Sequence, residues 1–123
     1  TAGSNCGVVN PMSENLAFRH CVPCEGGVDP MTRKDFEVYL EQVAAWRISD
    51  NDTKLERDFT FKDFARAVKF INALAAVAEE EGHHPDIFLH GWNKVRVTLW
   101  THAIGGLSIN DFILATRTDR IEV

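Results

Sequence analysis

The sequence predicts an α+β fold: a four-stranded antiparallel sheet with three helices packed on one face, in the order α-β-β-α-β-β-α. Ser or Thr is followed three residues later by Asp at three places, a pattern that often marks the first turn of a helix. Between these places lie pairs of short segments in which apolar and polar residues alternate, as they do in strands. Because the strands come in pairs, the pattern favours an antiparallel sheet whose helices are segregated to one face.

The first and third helices follow from the same capping signal. The first is predicted from about Thr32 to Ala44, and the third from about Ser108 to Thr116. In each, a hydroxyl at the start accepts a hydrogen bond from an unpaired backbone N–H, and an Asp, Asp35 or Asp111, lies in the first turn. The predicted inward residues are Phe36, Leu40, Val43, Phe112 and Ala115.

The second helix has the clearest pattern in the chain. It is predicted to begin with a cap at Thr60 and to end at Glu81-Gly82, with Pro85 just beyond as a stop signal. Apolar residues at steps of three and four predict one buried stripe, which consists of Phe61, Phe64, Val68, Ile71, Ala75 and Ala78.

Four strands are predicted between the helices. Alternation is clearest in the last, where apolar residues at Val95, Val97 and Leu99 are separated by Arg96 and Thr98. The predicted strands cover about Ala45–Ser49, Lys54–Phe59, Ile87–Leu89 and Val95–Trp100. Turn residues separate the members of each pair, at Asn51-Asp52 and at His90–Asn93.

The composition indicates one globular domain in a chain of 123 residues. Hydrophobic residues make up 45% and charged residues 25%, as in ordinary globular proteins, and no apolar run approaches the roughly 18 residues of a membrane span. The net charge of −5 argues against binding nucleic acid through its phosphates. We expect residues 1–30, rich in Gly, Asn, Ser and Pro, to form a partly ordered arm and residues 31–123 to form the domain.

Three histidines are predicted to gather at one end of the sheet. His84 and His102 are each nine positions from Asn93 in the last turn, so an antiparallel hairpin brings them to the same end, and His83 precedes His84 directly. Imidazole titrates near neutral pH and suits both acid and base catalysis. The alternative is that His83 and His84 only cap the C-terminus of the second helix.

A metal is not expected at His83, His84 and His102. Adjacent histidines on one stretch of backbone diverge, and no H-E-x-x-H motif is present. A second set, Cys6, His20, Cys21 and Cys24, can supply zinc ligands, although one C-x-x-C is only half a site and the thiols can equally sit in an ordinary loop. Three cysteines, all near the start of the chain, indicate a reduced intracellular protein.

These residues resemble a known family. The pattern Glu79-x-x-x-His83-His84-Pro85, followed by Trp92, His102 and Asp111, is similar to the signature of the pterin-4a-carbinolamine dehydratases. The segments Phe59–Phe64, Trp92–Val95 and Thr98–Ala103 also resemble that family, and Cys21–Gly27 looks like the N-terminal extension of its bacterial and organellar members.

The resemblance implies an enzyme that converts 4a-hydroxytetrahydrobiopterin, or a related pterin, to the quinonoid dihydropterin and water, and so recycles the cofactor of aromatic amino acid hydroxylases. It implies catalytic roles for His83, His84 and His102, with no metal or other cofactor because the pterin is the substrate. It implies substrate-binding positions at Glu79, Trp46, Trp92, Asp111 and Pro85. For Asp111 the alternative is capping, for Glu79 a solvated helix position, and for both tryptophans the core or pocket wall.

The same resemblance leaves a second class of function open. Some family members are binding proteins, so a coactivator or assembly module with little catalysis is the alternative. The family, the small size and the apolar strand edges suggest a homodimer or homotetramer, possible protein partners, and neither direct nucleic-acid binding nor a membrane. We expect the cytoplasm, or a mitochondrion or plastid after removal of a transit peptide.

Overall fold

The computed structural model describes residues 29–123 and confirms the predicted α+β fold. Most of the predicted arm, including Cys6, His20, Cys21 and Cys24, lies outside the described residues. In chain order the elements are α1 (Arg33–Phe36), which continues as a 3-10 helix (Glu37–Val43), β1 (Arg47–Ser49), β2 (Lys54–Thr60), α2 (Phe64–Glu81), β3 (Asp86–His90), β4 (Lys94–Leu99), a short 3-10 helix (His102–Ile104) and α3 (Ile109–Asp119). No helix among residues 29–123 is both long and apolar enough to cross a membrane.

The four strands form one antiparallel sheet in the order β1-β2-β4-β3. In the last hairpin Asp86 pairs with Thr98 and His90 with Lys94. The start of β3 and the end of β4 therefore share one end of the sheet, and the turn between the strands lies at the other. Leu55 of β2 pairs with Leu99, so the start of β2 also belongs to the first of these ends.

The core lies between the sheet and the helices. Leu55, Val95, Val97 and Leu99 point from the sheet into this layer and are fully buried. Helix α3 fills much of the layer, because every residue from Ile109 to Thr116 is buried. The helices add further large buried side chains, among them Phe36, Tyr39, Phe70, Leu74, Phe112 and Ile113.

Two of the three predicted helix caps are confirmed. Thr32 with Asp35, and Ser108 with Asp111, each form a capping box in which side chain and backbone bond reciprocally. The prediction of a cap at Thr60 is wrong. Thr60 is held in β2 by its pairing with Lys94, and the cap is Asp63, whose carboxylate accepts the Arg66 N–H at 2.8 Å.

The end of α2 is confirmed at Gly82, which has a φ of +65°. This left-handed conformation has a low energy only for glycine and is typical of a helix C-terminus.

The first helix differs in type from its prediction. Only Arg33–Phe36 is α-helical, and Glu37–Val43 winds as the tighter 3-10 form.

The predicted buried stripe of α2 is partly wrong. Ala78 is buried and Phe61 and Ile71 pack against the core, but Phe64 is 53% exposed, Ala75 is exposed and Val68 is only half-buried. The helix carries two apolar faces, and the one in the core consists of Ala67, Phe70, Leu74 and Ala78. We call the other the outer face of α2; it consists of Phe64, Ala65, Val68, Asn72, Ala75 and Ala76.

Candidate active site

The last hairpin brings the candidate histidines to one end of the sheet. His83 and His84 lie between Gly82, which caps α2, and β3. His102 begins the 3-10 helix that follows β4. Because Asp86 and Thr98 are paired, the chain just before β3 and the chain just after β4 lie at the same sheet end. Pro85 is half-buried and follows His84, whose backbone it restricts to extended conformations.

His83 is held by a buried carboxylate. Its Nε2 lies 2.6 Å from Oδ1 of Asp111; the His83 side chain is 12% exposed and that of Asp111 is completely buried. The other oxygen of Asp111 accepts the Thr101 hydroxyl at 2.8 Å and the Ser108 backbone N–H at 3.0 Å. An ionised Asp111 only accepts hydrogen bonds, so it selects the His83 tautomer with the proton on Nε2. Asp111 therefore caps α3 and orients His83 at the same time.

His84 has an acidic partner at the surface. Its Nε2 pairs with Oε2 of Glu79, from the last turns of α2, and both side chains are exposed. Glu79 thus lies beside a candidate catalytic ring, where it can accept a proton from that ring or from a bound ligand.

His102 is exposed and lies against an aromatic ring instead of a carboxylate. Its ring centroid is 3.9 Å from that of Trp100, with an angle of 30° between the planes. Trp100 was not among the predicted site residues. The alternation of β4 was the available signal, because it places Trp100 on the face opposite the core, two positions before His102.

The two remaining tryptophans lie elsewhere in the chain. Trp46 is 7% exposed, its indole N–H donates to the Asp119 carboxylate at 2.9 Å, and its ring meets Phe59 edge-on. Phe59 pairs with Val95, near the turn end of β4. Trp92 lies in that turn, with a φ of +60°, and is 61% exposed. The structure therefore does not bring Trp46 or Trp92 together with the candidate histidines.

The buried polar side chains of the site have hydrogen-bond partners. Among residues 29–123, every buried side-chain nitrogen and oxygen has a hydrogen-bond partner. Over the same residues, no three or more His, Cys, Asp or Glu side chains are grouped so that they can hold a metal ion. What the site offers is several imidazoles in different settings, an arrangement suited to proton transfer.

Comparison with known proteins identifies the family. The family model described as Pterin 4 alpha carbinolamine dehydratase matches residues 29–121. A protein of Chlorobaculum tepidum named "Putative pterin-4-alpha-carbinolamine dehydratase" is 47% identical over 108 residues, which cover 86% of this chain and 96% of that protein. "Pterin-4-alpha-carbinolamine dehydratase 2, mitochondrial" of Arabidopsis thaliana is 45% identical over 112 residues, which cover 89% of this chain and 60% of the plant protein.

Two solved structures share the fold. One is a transcriptional coactivator/pterin dehydratase from Brucella melitensis, with a TM-score of 0.68 and 32% identity, covering 74% of this chain and 96% of that one. The other is a pterin dehydratase-like protein identified as a RuBisCO assembly factor in the alpha-carboxysome. It has a TM-score of 0.52 and 33% identity, and the match covers 61% of this chain and 86% of that one.

Proposed function

The chain belongs to the pterin-4a-carbinolamine dehydratase family, and on that premise we propose that it removes water from 4a-hydroxytetrahydrobiopterin or a related 4a-hydroxytetrahydropterin. The product is the quinonoid dihydropterin, and the reaction recycles the cofactor of aromatic amino acid hydroxylases. The observation that carries the proposal is the pairing of His83 with buried Asp111 at the sheet end that also holds His84 and His102.

The reaction suits imidazole catalysis. The C–O bond at carbon 4a breaks, the adjacent ring nitrogen loses its proton, and a C=N double bond forms between them. The departing hydroxide takes up a proton and leaves as water. One acid and one base near neutral pH are therefore sufficient, each contributing roughly 10²- to 10⁴-fold in favourable cases. No electron is transferred, and the imidazoles can supply both the acid and the base, so we propose that neither a redox cofactor nor a metal takes part.

The surroundings of each histidine suggest its role. We assign proton transfer at the hydroxyl and at the ring nitrogen to His83 and His102, and substrate binding to His84 with Glu79. Asp111 is buried behind His83, so in this proposal it acts through the imidazole and does not contact the pterin itself.

The direct test is a dehydration assay. Purified protein supplied with a 4a-hydroxytetrahydropterin should accelerate formation of the quinonoid dihydropterin, followed by ultraviolet absorbance, in proportion to protein concentration. The rate should be unchanged after treatment with a chelator. A rate no higher than that of the uncatalysed reaction would refute the proposal, and activity lost to the chelator and restored by zinc would refute its metal-free form.

Assembly is a second part of the proposal. We propose that the outer face of α2 pairs with the same face of another copy, which gives a homodimer or, with a further contact, a homotetramer. Phe64 and Val68 make this face apolar, and Ala65, Ala75 and Ala76 let a second helix approach closely. Lys69 lies beside the N-terminal half of the face and Glu80 beside its C-terminal half, so antiparallel copies bring unlike charges together. Sedimentation as a 13.8 kDa monomer at micromolar concentration would contradict this.

The alternative function is a protein-binding module with little catalysis. The outer face of α2 favours it, because a partner of another kind can cover the same apolar surface, and the two solved relatives are described as a coactivator/dehydratase and an assembly factor. The dehydration assay separates the two. For the compartment we propose the cytoplasm, with a mitochondrion as the alternative suggested by the name of the Arabidopsis relative and a plastid as a further one.

A further inference from the structure

The three candidate histidines are supported in different ways. Carboxylates pair with two of them, Asp111 with His83 and Glu79 with His84. Among the described residues, no acidic side chain forms an ion pair with His102. Its ring instead stacks on the indole of Trp100, at 3.9 Å between centroids.

The indole of Trp100 is itself anchored by two other strands. Its N–H donates to Oδ2 of Asp86, the first residue of β3, at 3.3 Å. The ammonium of Lys54, the first residue of β2, lies 5.1 Å from the indole centroid and also pairs with Asp50 at 3.3 Å. Trp100 directly follows β4, so contacts from the first residues of β2 and β3 hold the indole against which His102 packs.

We propose that Trp100 is a positioning residue for His102: its indole holds the exposed imidazole in the orientation that proton transfer requires. The inference rests on the proposed function, in which His102 transfers a proton. An exposed histidine without a partner samples several rotamers, and transfer is possible only where the ring lies within about 2.6–3.2 Å of the reacting atom. An aromatic stack of ordinary strength favours one orientation by about 2- to 10-fold.

Two substitutions at Trp100 test the stack itself. Trp100→Leu keeps apolar bulk but removes the aromatic plane, and it should lower kcat by about 2- to 10-fold while KM stays within about twofold. Trp100→Phe keeps a plane and should restore most of the lost kcat. If the Phe variant is as slow as the Leu variant, or if both match the wild type, the positioning role is wrong.

The protein contains a matched control. Phe88 also contacts a histidine two residues along the chain, His90, with 4.7 Å between centroids and 17° between planes. This pair lies on the same face of the sheet but toward its turn end. Phe88→Leu removes this second stack and should leave kcat unchanged. An equal fall in kcat for Phe88→Leu would overturn the inference, because the loss would then reflect the sheet surface in general.

A readout independent of activity completes the test. In a ¹H–¹³C spectrum, the ring-proton signals of His102, identified by their absence in His102→Ala, should lie upfield in the wild type because of the indole ring current. They should move downfield in Trp100→Leu. Signals that do not move would show that the rings do not stack and would overturn the inference. A wild-type protein that shows the shift but no dehydratase activity would refute the proposed function and leave the stack established.

Discussion

Nε2 of His83 lies 2.6 Å from Oδ1 of Asp111, and this carboxylate is shielded completely from solvent. The same carboxylate accepts two further hydrogen bonds, from the Thr101 hydroxyl and from the backbone N–H of Ser108, which caps α3. These hydrogen bonds fix the orientation of the carboxylate, and the carboxylate in turn fixes the orientation of the His83 ring. The proton-carrying group of the proposed reaction is thus oriented by the start of a core helix.

Asp111→Asn should lower kcat by about 10-fold or more with little change in the melting temperature. The amide oxygen can still accept from Ser108 and Thr101, but its NH₂ group then donates to His83 and forces the proton to the other ring nitrogen. Steady-state kinetics and thermal unfolding of the same samples separate the two effects. Asp111→Ala is the comparison: it leaves buried donors unpaired and should cost about 1–3 kcal/mol of unfolding free energy.

His83→Ala and His102→Ala should each lower kcat by roughly 10²-fold or more with the fold intact, if each is an acid or base. His84→Ala should raise KM by at least as large a factor as it lowers kcat, because this ring is assigned to substrate binding. Circular dichroism checks the fold and the dehydration assay gives both constants.

His90→Ala is the control for these variants, since His90 ends β3 beside the turn, at the opposite end of the hairpin. This substitution should leave both kcat and KM nearly unchanged. Near-normal turnover in both His83→Ala and His102→Ala, in a protein shown to be active, would mean that the cluster is not catalytic.

Gly82→Ala should lower the free energy of unfolding by about 1–2 kcal/mol. An added Cβ meets nothing within 4 Å, so the cost comes from the φ of +65° alone. Gly105 is the matched position, with a φ of +67° and equally open surroundings. Gly105→Ala should lower the free energy of unfolding, measured in urea, by about the same amount. A loss at Gly82 much smaller than at Gly105 would show that the end of α2 can adopt another cap.

Part of the stability that is lost on acidification below about pH 4 should come from Asp58. A hydrogen bond from Arg96, helped by the charge of Arg47, lowers the pKa of Asp58. The folded-state pKa is below the unfolded one, so this stabilisation is present above the unfolded pKa and is lost as the pH falls through the folded pKa. The Asp58 side chain is 46% exposed, so the contribution is at most about 1 kcal/mol.

Asp58→Asn measures this contribution. The variant should be slightly less stable than the wild type at pH 7, and the difference should shrink below about pH 4. Urea unfolding at both pH values gives the comparison, and a difference that grows on acidification would contradict the assignment.

Ala75→Lys should weaken self-association by about 10²-fold or more, because it places an ammonium group on the apolar outer face of α2. Sedimentation velocity over a concentration series measures the change. The same substitution at Ala45, an exposed alanine outside α2, controls for the added charge and should leave assembly intact. If Ala75→Lys assembles like the wild type, another surface is responsible.

Local signals predicted most of the fold, and they failed where a choice depended on distant residues. The capping boxes at Thr32 and Ser108 lie within four residues each, so the sequence contains all their partners. The buried face of α2 could not be predicted in this way. Two sets of apolar residues on this helix both recur at steps of three and four, so the spacing alone does not show which set enters the core. Phe59 and Phe61 decide between them by packing on Phe70, with centroids at 4.7 and 5.0 Å.

In the candidate site, too, local features were predictable and contacts between distant residues were not. The shared end of the sheet for His84 and His102 was predictable, because one hairpin determines it. The partner of His83 was not, since its contact with Asp111 depends on how α3 packs beside the end of α2. The bond from Trp46 to Asp119 spans 73 residues and has no local signature.

The β3–β4 hairpin has a consequence for the order in which the site assembles during folding. His84 and His102 flank this one hairpin, and hairpins form in about 1–10 μs, whereas contacts between distant segments form more slowly. The His83–Asp111 bond closes a loop of 28 residues and waits for α3 to dock. A folding chain therefore gathers two of its imidazoles early and orients the third only when the core closes. An incompletely folded chain thus lacks one of its two proposed proton-transfer groups.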